Sequence, residues 1–389
     1  DLIHFSTYWL CEVRQVLYVD GSADPNSNGS SWAEAHKYLK DALTAASSGY
    51  YEIWIADGTY KPGQDASHTD GDSTQTFTLP THVCLLGGFG GDPNGETDIA
   101  LRDISEHPTI LDGNANGGNC SVIITASEDS IIDSFEIIGA SSEAVSATSY
   151  APLIRNCLIY DNAAGVTSTT GNPIIDNCTL VGNTGYAAES TSAYASITNS
   201  ILWGNNGTSN EYQNCEVSYS SVEDGSIGDT NIAWVPYFED VSGDDYHLKT
   251  YSPCIDTADP EGSYDKEPSG GGGRLNMGVY GNTAGAALKS ADTENSGEGD
   301  GLPDTWETAF LETISYGPND DVDEDGFTNL IEYRYGYDPN DTNTESAAVT
   351  SVSVSTSEID PANDESVTVS VYLNKAETIT VNFINTDDD

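Results

Sequence analysis

Between Ile132 and Asn205 one phrase is written four times. The copies are Ile132-Asp133-Ser134-Phe135-Glu136-Ile137-Ile138-Gly139, Ile154-Arg155-Asn156-Cys157-Leu158-Ile159-Tyr160-Asp161-Asn162, Ile175-Asp176-Asn177-Cys178-Thr179-Leu180-Val181-Gly182-Asn183 and Ile197-Thr198-Asn199-Ser200-Ile201-Leu202-Trp203-Gly204-Asn205. They recur every 21 or 22 residues. Each holds two brief alternating apolar stretches hinged at Ser or Asn and is too short to bury its own apolar face, so neighbouring copies must stack to make a core. The expected fold is all-β, with these copies as the coils of a parallel β-helix.

The hinge explains why Asn156, Asn177 and Asn199 share a column. A solenoid corner needs a left-handed or bridging backbone, which Asn tolerates, and stacked Asn amides are expected to hydrogen-bond from coil to coil. Counting by twos from the corner turns Phe135, Cys157, Cys178 and Ser200 inward, together with Ile137, Ile159, Leu180 and Leu202.

The 389 residues carry 63 acidic against 12 Lys and Arg, a formal charge of −51. Nucleic acid, anionic membrane and polyanions are repelled at long range, and cations are the natural partners. Global disorder is opposed by 22 Tyr, 6 Trp and the apolar coils. Seven cysteines without CxxC spacing indicate neither a zinc site nor a dense disulfide framework. No apolar run of about 18 residues is present, so no membrane span is expected. Residues 1–16 read as an apolar arm, interrupted by polar and acidic residues and lacking a basic start, rather than an intact signal peptide.

The β-helix is expected over residues 17–285. Ser31 with Glu34 makes a capping box, and Trp32, Ala35, Leu39, Ala42 and Leu43 share a helical face, predicting one helix over 31–43 that covers the open end of the solenoid. Ser31-Trp32-Ala33-Glu34-Ala35, Ile53-Trp54-Ile55-Ala56-Asp57-Gly58-Thr59-Tyr60, Gly87-Gly88-Phe89-Gly90-Gly91, Ser252-Pro253-Cys254-Ile255-Asp256 and Asn276-Met277-Gly278-Val279-Tyr280-Gly281-Asn282 resemble the signature of large exported bacterial proteins with a right-handed, pectate-lyase-like β-helix. The resemblance implies a fold but not a function, because that superfamily mixes lyases, glycoside hydrolases, adhesins and structural proteins.

Residues 286–345 form a different segment, with 16 acidic residues and one basic residue, Arg334, between Asp292 and Glu345. Asp321-Val322-Asp323-Glu324-Asp325-Gly326-Phe327-Thr328-Asn329-Leu330-Ile331-Glu332 matches the EF-hand loop. Asp321, Asp323 and Asp325 supply carboxylates, Gly326 the sharp turn, Phe327 a backbone carbonyl and Glu332 the bidentate twelfth ligand, a set suited to Ca²⁺. A second copy runs from Ser296 to Glu307, with Glu298, Asp300, the Leu302 carbonyl, Asp304 and Glu307 as ligands. Its first position is Ser, so another carboxylate such as Asp292 is a candidate to contribute. The pair resembles thrombospondin-type-3-like or dockerin-like calcium repeats of exported bacterial proteins, implying an extracellular or cell-surface address. Residues 346–389 resemble the opening strands of an immunoglobulin-like sandwich, a partial β-sandwich whose edges need pairing. The arm Leu2–Leu10, from the same or the next molecule, is one expected partner, which would allow self-association.

Two outward rows of the coils carry the remaining readings. Asp133, Arg155, Asp176 and Thr198 fall in one row, read first as a charge-neutralising ladder, with Asp133 and Asp176 the candidate acid and base of a polysaccharide-active enzyme. A lyase needs an Arg or Lys base, yet only Arg102 and Arg155 lie between Lys61 and Lys249. The six histidines show no spacing that pairs them with a Ser or Cys nucleophile. Ile138, Tyr160, Val181 and Trp203 form an apolar row expected to be covered by another segment, such as the N-terminal arm, by another subunit, or by a neutral sugar. The leading reading is an exported, calcium-stabilised structural or adhesive protein, and the alternative a polysaccharide lyase or glycoside hydrolase.

Overall fold

The computed structural model describes residues 14–342, except 48, 94, 149–150, 192–193, 206–210, 224–227, 229 and 293–299, together with strands 349–354 and 369–373. The chain divides into two compact units, Asp1–Lys289 and Ser290–Asp389.

The first unit is a parallel β-helix. Its first sheet has eight strands, among them Gln15–Val19, Tyr51–Ala56, Val83–Phe89, Ile131–Asp133, Leu153–Arg155, Ile174–Asp176 and Ala195–Thr198. A seven-stranded second sheet includes Glu136–Ile138, Leu158–Tyr160, Thr179–Val181 and Ile201–Trp203, and a six-stranded third includes Glu143–Ala147, Val166–Ser168 and Ala188–Ser190. In all three, spatial order follows chain order, so each coil lies on the one before. Ile132, Ile154, Ile175 and Ile197 pair in register. A slip of one residue would turn this fully buried row outward, which is what holds the register. Phe135, Cys157, Cys178, Ser200, Ile137, Ile159, Leu180 and Leu202 are all fully buried, as the counting predicts. Each buried Ile or Leu contributes about 1.5–3 kcal/mol over its exposed state.

The corner residues Ser134, Asn156, Asn177 and Asn199 adopt φ of 67°, 48°, 51° and 53°, the left-handed region their column implied. Their amides do not form the expected ladder. Asn156 Nδ2 donates to Asp133 Oδ1 at 2.9 Å, Asn199 Nδ2 to Asp176 Oδ1 at 2.8 Å, and Asn177 Nδ2 to the Gly278 carbonyl at 3.3 Å. The coil-to-coil ladder sits instead at the next corner, where Asp161, Gly182 and Gly204 take the positive φ and turn Asn162, Asn183 and Asn205 inward. Asn162 Nδ2 donates to Asn183 Oδ1 at 3.1 Å, Asn183 Nδ2 to Asn205 Oδ1 at 2.8 Å, and Asn205 Nδ2 to Glu211 Oε2 at 2.6 Å. Inward amides stack on one another, whereas in the first column Asn156 and Asn199 bond a carboxylate of the preceding coil and Asn177 a carbonyl of the segment beyond the coils.

The expected helix over 31–43 is broken in two. Ser31 Oγ does accept the Glu34 N–H at 3.3 Å and caps a 3₁₀ turn, Trp32–Glu34, while the α-helix spans only Leu39–Ala45. Between them His36 N donates to the Tyr18 carbonyl at 2.8 Å and Asp20 N to the His36 carbonyl at 2.9 Å, so pairing with the first strand overrides local helix preference. The α-helix still closes the lumen, packing Leu39, Ala42 and Leu43 onto Ile53 and Ile55.

The regular coils end at Cys215–Ser218 and Ser221–Val222, earlier than expected. The following chain folds back along the second sheet through the hairpin Phe238–Asp240 and Asp245–Leu248 and through Cys254, Leu275, Met277 and Val279. This segment covers the apolar outward row. Tyr160 and Val181 are 6% and 5% exposed, and Ile138 and Trp203 pack partly buried against the same cluster. The row is therefore internal to the unit rather than an open interaction surface, and among the described residues a sequence-distant segment covers it. Of the arm expected over residues 1–16, residues 1–13 lie outside the described residues, whereas Gln15 and Val16 belong to the first strand Gln15–Val19, where they pair with Tyr51 and Glu52.

The second unit contains helices Asp304–Phe310 and Asn329–Tyr335, joined through Trp306, which is fully buried and lies 5.5 Å from the Tyr333 ring. Strands Val349–Val354 and Val369–Leu373 pair antiparallel, while the expected strand 379–383 lies outside the described residues. Among the described residues no helix is long and apolar enough to cross a membrane.

Candidate functional site

The loop before helix Asn329–Tyr335 gathers carboxylates around a cage. Gly326, at φ 96°, makes the turn and donates its N–H to Asp321 Oδ2 at 3.0 Å. Asp325 N donates to Asp323 Oδ1 at 3.2 Å and Phe327 N to Asp325 Oδ1 at 2.7 Å. These bonds aim the remaining oxygens inward, where single oxygens of Asp321, Asp323 and Asp325 lie within 4.8 Å of one another. Two oxygens on one calcium ion, each at about 2.3–2.6 Å, stand at most about 5.2 Å apart, so the spacing fits. The Phe327 side chain is fully buried against Tyr337, which anchors the seventh position of the loop.

Glu332 lies near enough for the charges of Asp323, Asp325 and Asp321 to act on its carboxyl. It is fully buried in the first turn of the helix, and among the described residues neither carboxylate oxygen accepts a hydrogen bond; Asp321 Oδ1 and Asp323 Oδ2 are likewise buried without a partner there. Burial, followed by the negative charges of Asp323, Asp325 and Asp321, pushes the Glu332 pKa up to about 8, and burial raises Asp323 as well. A buried carboxylate without donors is expensive to ionise, and a hard cation is the partner that removes the cost.

The second loop repeats the hydrogen bonds with a different first residue. Gly301, at φ 100°, donates its N–H to Asp292 Oδ2 at 3.2 Å, and Leu302 N donates to Asp300 Oδ1 at 2.9 Å. Asp292 thus holds the place that Asp321 holds in the first loop, where Ser296 would fall by spacing alone. Asp304 starts the following helix and Glu307 is fully buried in its first turn. Ser296 and Glu298 lie outside the described residues.

On the solenoid, the register places Asp133, Arg155, Asp176 and Thr198 side by side. Asp133 is fully buried; its Oδ2 accepts from Arg155 Nε at 2.8 Å and Arg102 Nη2 at 3.0 Å, its Oδ1 from Ser134 and Asn156. Burial opposes its ionisation, but the Arg102 and Arg155 guanidiniums outweigh it and hold the carboxyl well below the usual range. Asp176 accepts from Thr198 Oγ1 at 2.9 Å and Asn199 Nδ2 at 2.8 Å. Chain distance concealed one neighbour, Lys266, on the segment that folds back. Partial burial, then the Arg102 charge and that of Arg155, draw its pKa below the ordinary lysine value. Spacing within the repeat carries no signal for a residue supplied from outside it.

Residues 89–202 match the family model described as right handed beta helix region, which agrees with the coils seen here. No curated protein matches the chain. Among solved structures it is similar to a rhamnogalacturonan lyase, at 14% identity and a TM-score of 0.33 over 53% of this chain and 58% of that one. It is also similar to the pectate lyase Pel9A, at 10% identity and a TM-score of 0.27 over 69% and 96%. The chain thus spans about 58% of the length of the first of these, and both likenesses concern fold alone.

Proposed function

We propose that this protein is an exported, calcium-stabilised β-helix with a structural or adhesive role at the cell surface or in extracellular matrix. The observation that carries the reading is that Asp321 Oδ1, Asp323 Oδ2 and both oxygens of Glu332 are buried with no hydrogen-bond partner among the described residues. Extracellular modules of this ligand type fill at about 10⁻⁴–10⁻³ M calcium, which fits an external address. Asp133 supports the non-catalytic part of the reading, because a fully buried carboxylate locked between two guanidiniums is held ionised and away from substrate. Self-association is part of the proposal. Among the described residues the C-terminal strands pair only with each other, and a two-stranded piece is marginal in water without further pairing. Sedimentation should show calcium-dependent oligomers that residues 1–13 promote; a monomer unchanged by deleting those residues, which leaves the first strand whole, rules out exchange through the arm.

One observation favours a second reading, a polysaccharide lyase. Lys266, within electrostatic reach of Arg102 and Arg155, would supply the amine base that the coils lack, and a lowered lysine pKa suits proton abstraction next to a neutralised uronate. A panel of neutral and acidic polysaccharides separates the readings. The structural reading expects binding without new reducing ends or unsaturated products. Unsaturated products that disappear in Lys266→Ala would establish the lyase instead.

A further inference from the structure

The hairpin that folds back over the solenoid carries a constellation drawn from distant parts of the chain. In the strand Asp245–Leu248, Tyr246 and Leu248 enter the covered apolar layer, and alternation leaves Asp245 and His247 together on the outer face. His247 Nδ1 lies 2.7 Å from Asp245 Oδ1, which also accepts the His247 backbone N–H at 3.1 Å. A carboxylate only accepts, so Nδ1 carries the proton and Nε2 presents its lone pair. That lone pair faces Ser105 Oγ at 3.4 Å.

Ser105 is held independently of the histidine. Its neighbour Ile104 is buried in the same apolar layer, and Asp103 fixes the turn by accepting Ser105 N at 2.9 Å through its carboxylate and His107 N at 2.9 Å through its carbonyl. Gly285 leaves the room the hydroxyl occupies, since a Cβ there would stand 2.1 Å from Ser105 Oγ and 3.6 Å from His247 Nε2. Tyr280 stacks on the imidazole at 3.7 Å and 11°, fixing the plane of the ring.

We infer that Ser105 is a nucleophile, His247 its general base and Asp245 the positioning residue of a site that hydrolyses neutral O-acyl esters. Ser105 Oγ attacks the ester carbonyl carbon while its proton passes to His247 Nε2. The bond from that carbon to the alkoxy oxygen breaks, and the departing alkoxide takes the proton from Nε2. Water then gives a proton to Nε2 as its oxygen attacks the acyl carbon, and the proton returns to Ser105 Oγ as the carboxylic acid leaves. The seat is open, with the His247 and Asp245 side chains 34% and 47% exposed, so charge stabilisation by Asp245 is screened. Esters, with their better leaving groups, suit it and amides do not. Glu136 and Asp244 stand nearby in a chain of charge −51, which disfavours anionic substrates and leaves small neutral groups such as O-acetyl.

The test uses the full chain, a fluorophosphonate probe and 4-nitrophenyl acetate. Stoichiometric labelling of the Ser105 peptide is expected, absent in Ser105→Ala. His247→Ala should slow labelling and ester hydrolysis by on the order of 100-fold or more. Asp245→Asn should lower kcat for 4-nitrophenyl acetate at unchanged KM, and Asp245→Glu should recover part of it, because the carboxylate orients the imidazole through Nδ1; equal loss of kcat and KM in both variants would leave Asp245 a merely structural role. Gly285→Ala should block labelling while circular dichroism stays unchanged. Folded wild-type protein that labels elsewhere or not at all, or labelling indifferent to His247→Ala, overturns the assignment.

Discussion

Replacing Glu332 by Ala lowers the calcium affinity of the Ser290–Asp389 unit by on the order of 100-fold or more. Groups that merely orient metal ligands are worth about 10–100-fold in affinity, so loss of the bidentate ligand itself should reach at least the upper end of that range. Isothermal titration of the wild type and of Glu332→Ala measures it; equal affinity would remove Glu332 from the site. In calcium at about 100 times the Kd, this unit should gain about 2.7 kcal/mol, which chelator withdraws. Protons compete for the same oxygens. Because the metal-free folded pKa of Glu332 is raised from 4.5 to about 8, its contribution to stability is present below pH 4.5 and is lost as pH rises towards 8. Calcium reverses that dependence by favouring the ionised form, so uptake at neutral pH should release protons and weaken on acidification.

Asn183→Ala should destabilise the solenoid by about 3 kcal/mol, far beyond its loss of apolar contact. Asn183 Oδ1 accepts both the backbone N–H and the Nδ2 of Asn162 at 3.1 Å, while its Nδ2 donates to the Ile159 carbonyl at 3.0 Å and to Asn205 Oδ1 at 2.8 Å. Truncation strands the Asn162 N–H in a dry interior and cuts the ladder at its middle. Asn156→Gly is the matched control. Gly keeps φ at 48° without strain, and Asp133 retains Arg102, Arg155 and Ser134, so the expected cost is about 1 kcal/mol. Urea midpoints at unchanged slope read both, and equal losses in the two variants would assign the ladder no special part.

The repeat was legible because its signal is local and multiplied. Period-two alternation places Cys157, Cys178 and Ile159 inward whatever else the chain does, and four copies make the pattern unambiguous. The cluster of Asp321, Asp323 and Asp325 was legible for the same reason, since its carboxylates come from five consecutive residues. The carboxylate that holds the turn of the second loop was read less firmly, because Asp292 precedes Gly301 by more residues than the motif spacing implies. Both corner columns contain Asn, and only the stacked geometry tells which turns inward to bond its own kind.

Sequence by itself determined the coils, their register, their inward rows and the carboxylate cage, because each depends on neighbours fewer than about 25 residues away. Tertiary structure alone decided what happens on the outer faces. Pairing of His36 with the first strand broke a helix that local propensity favoured, and the fold-back segment buried the Tyr160 row. The same segment carried Lys266 to Arg102 and placed His247 against Ser105, 142 positions earlier in the chain. Apolar surface is non-directional and accepts any cover that excludes water, so the exposed row announced that something lies over it without specifying what.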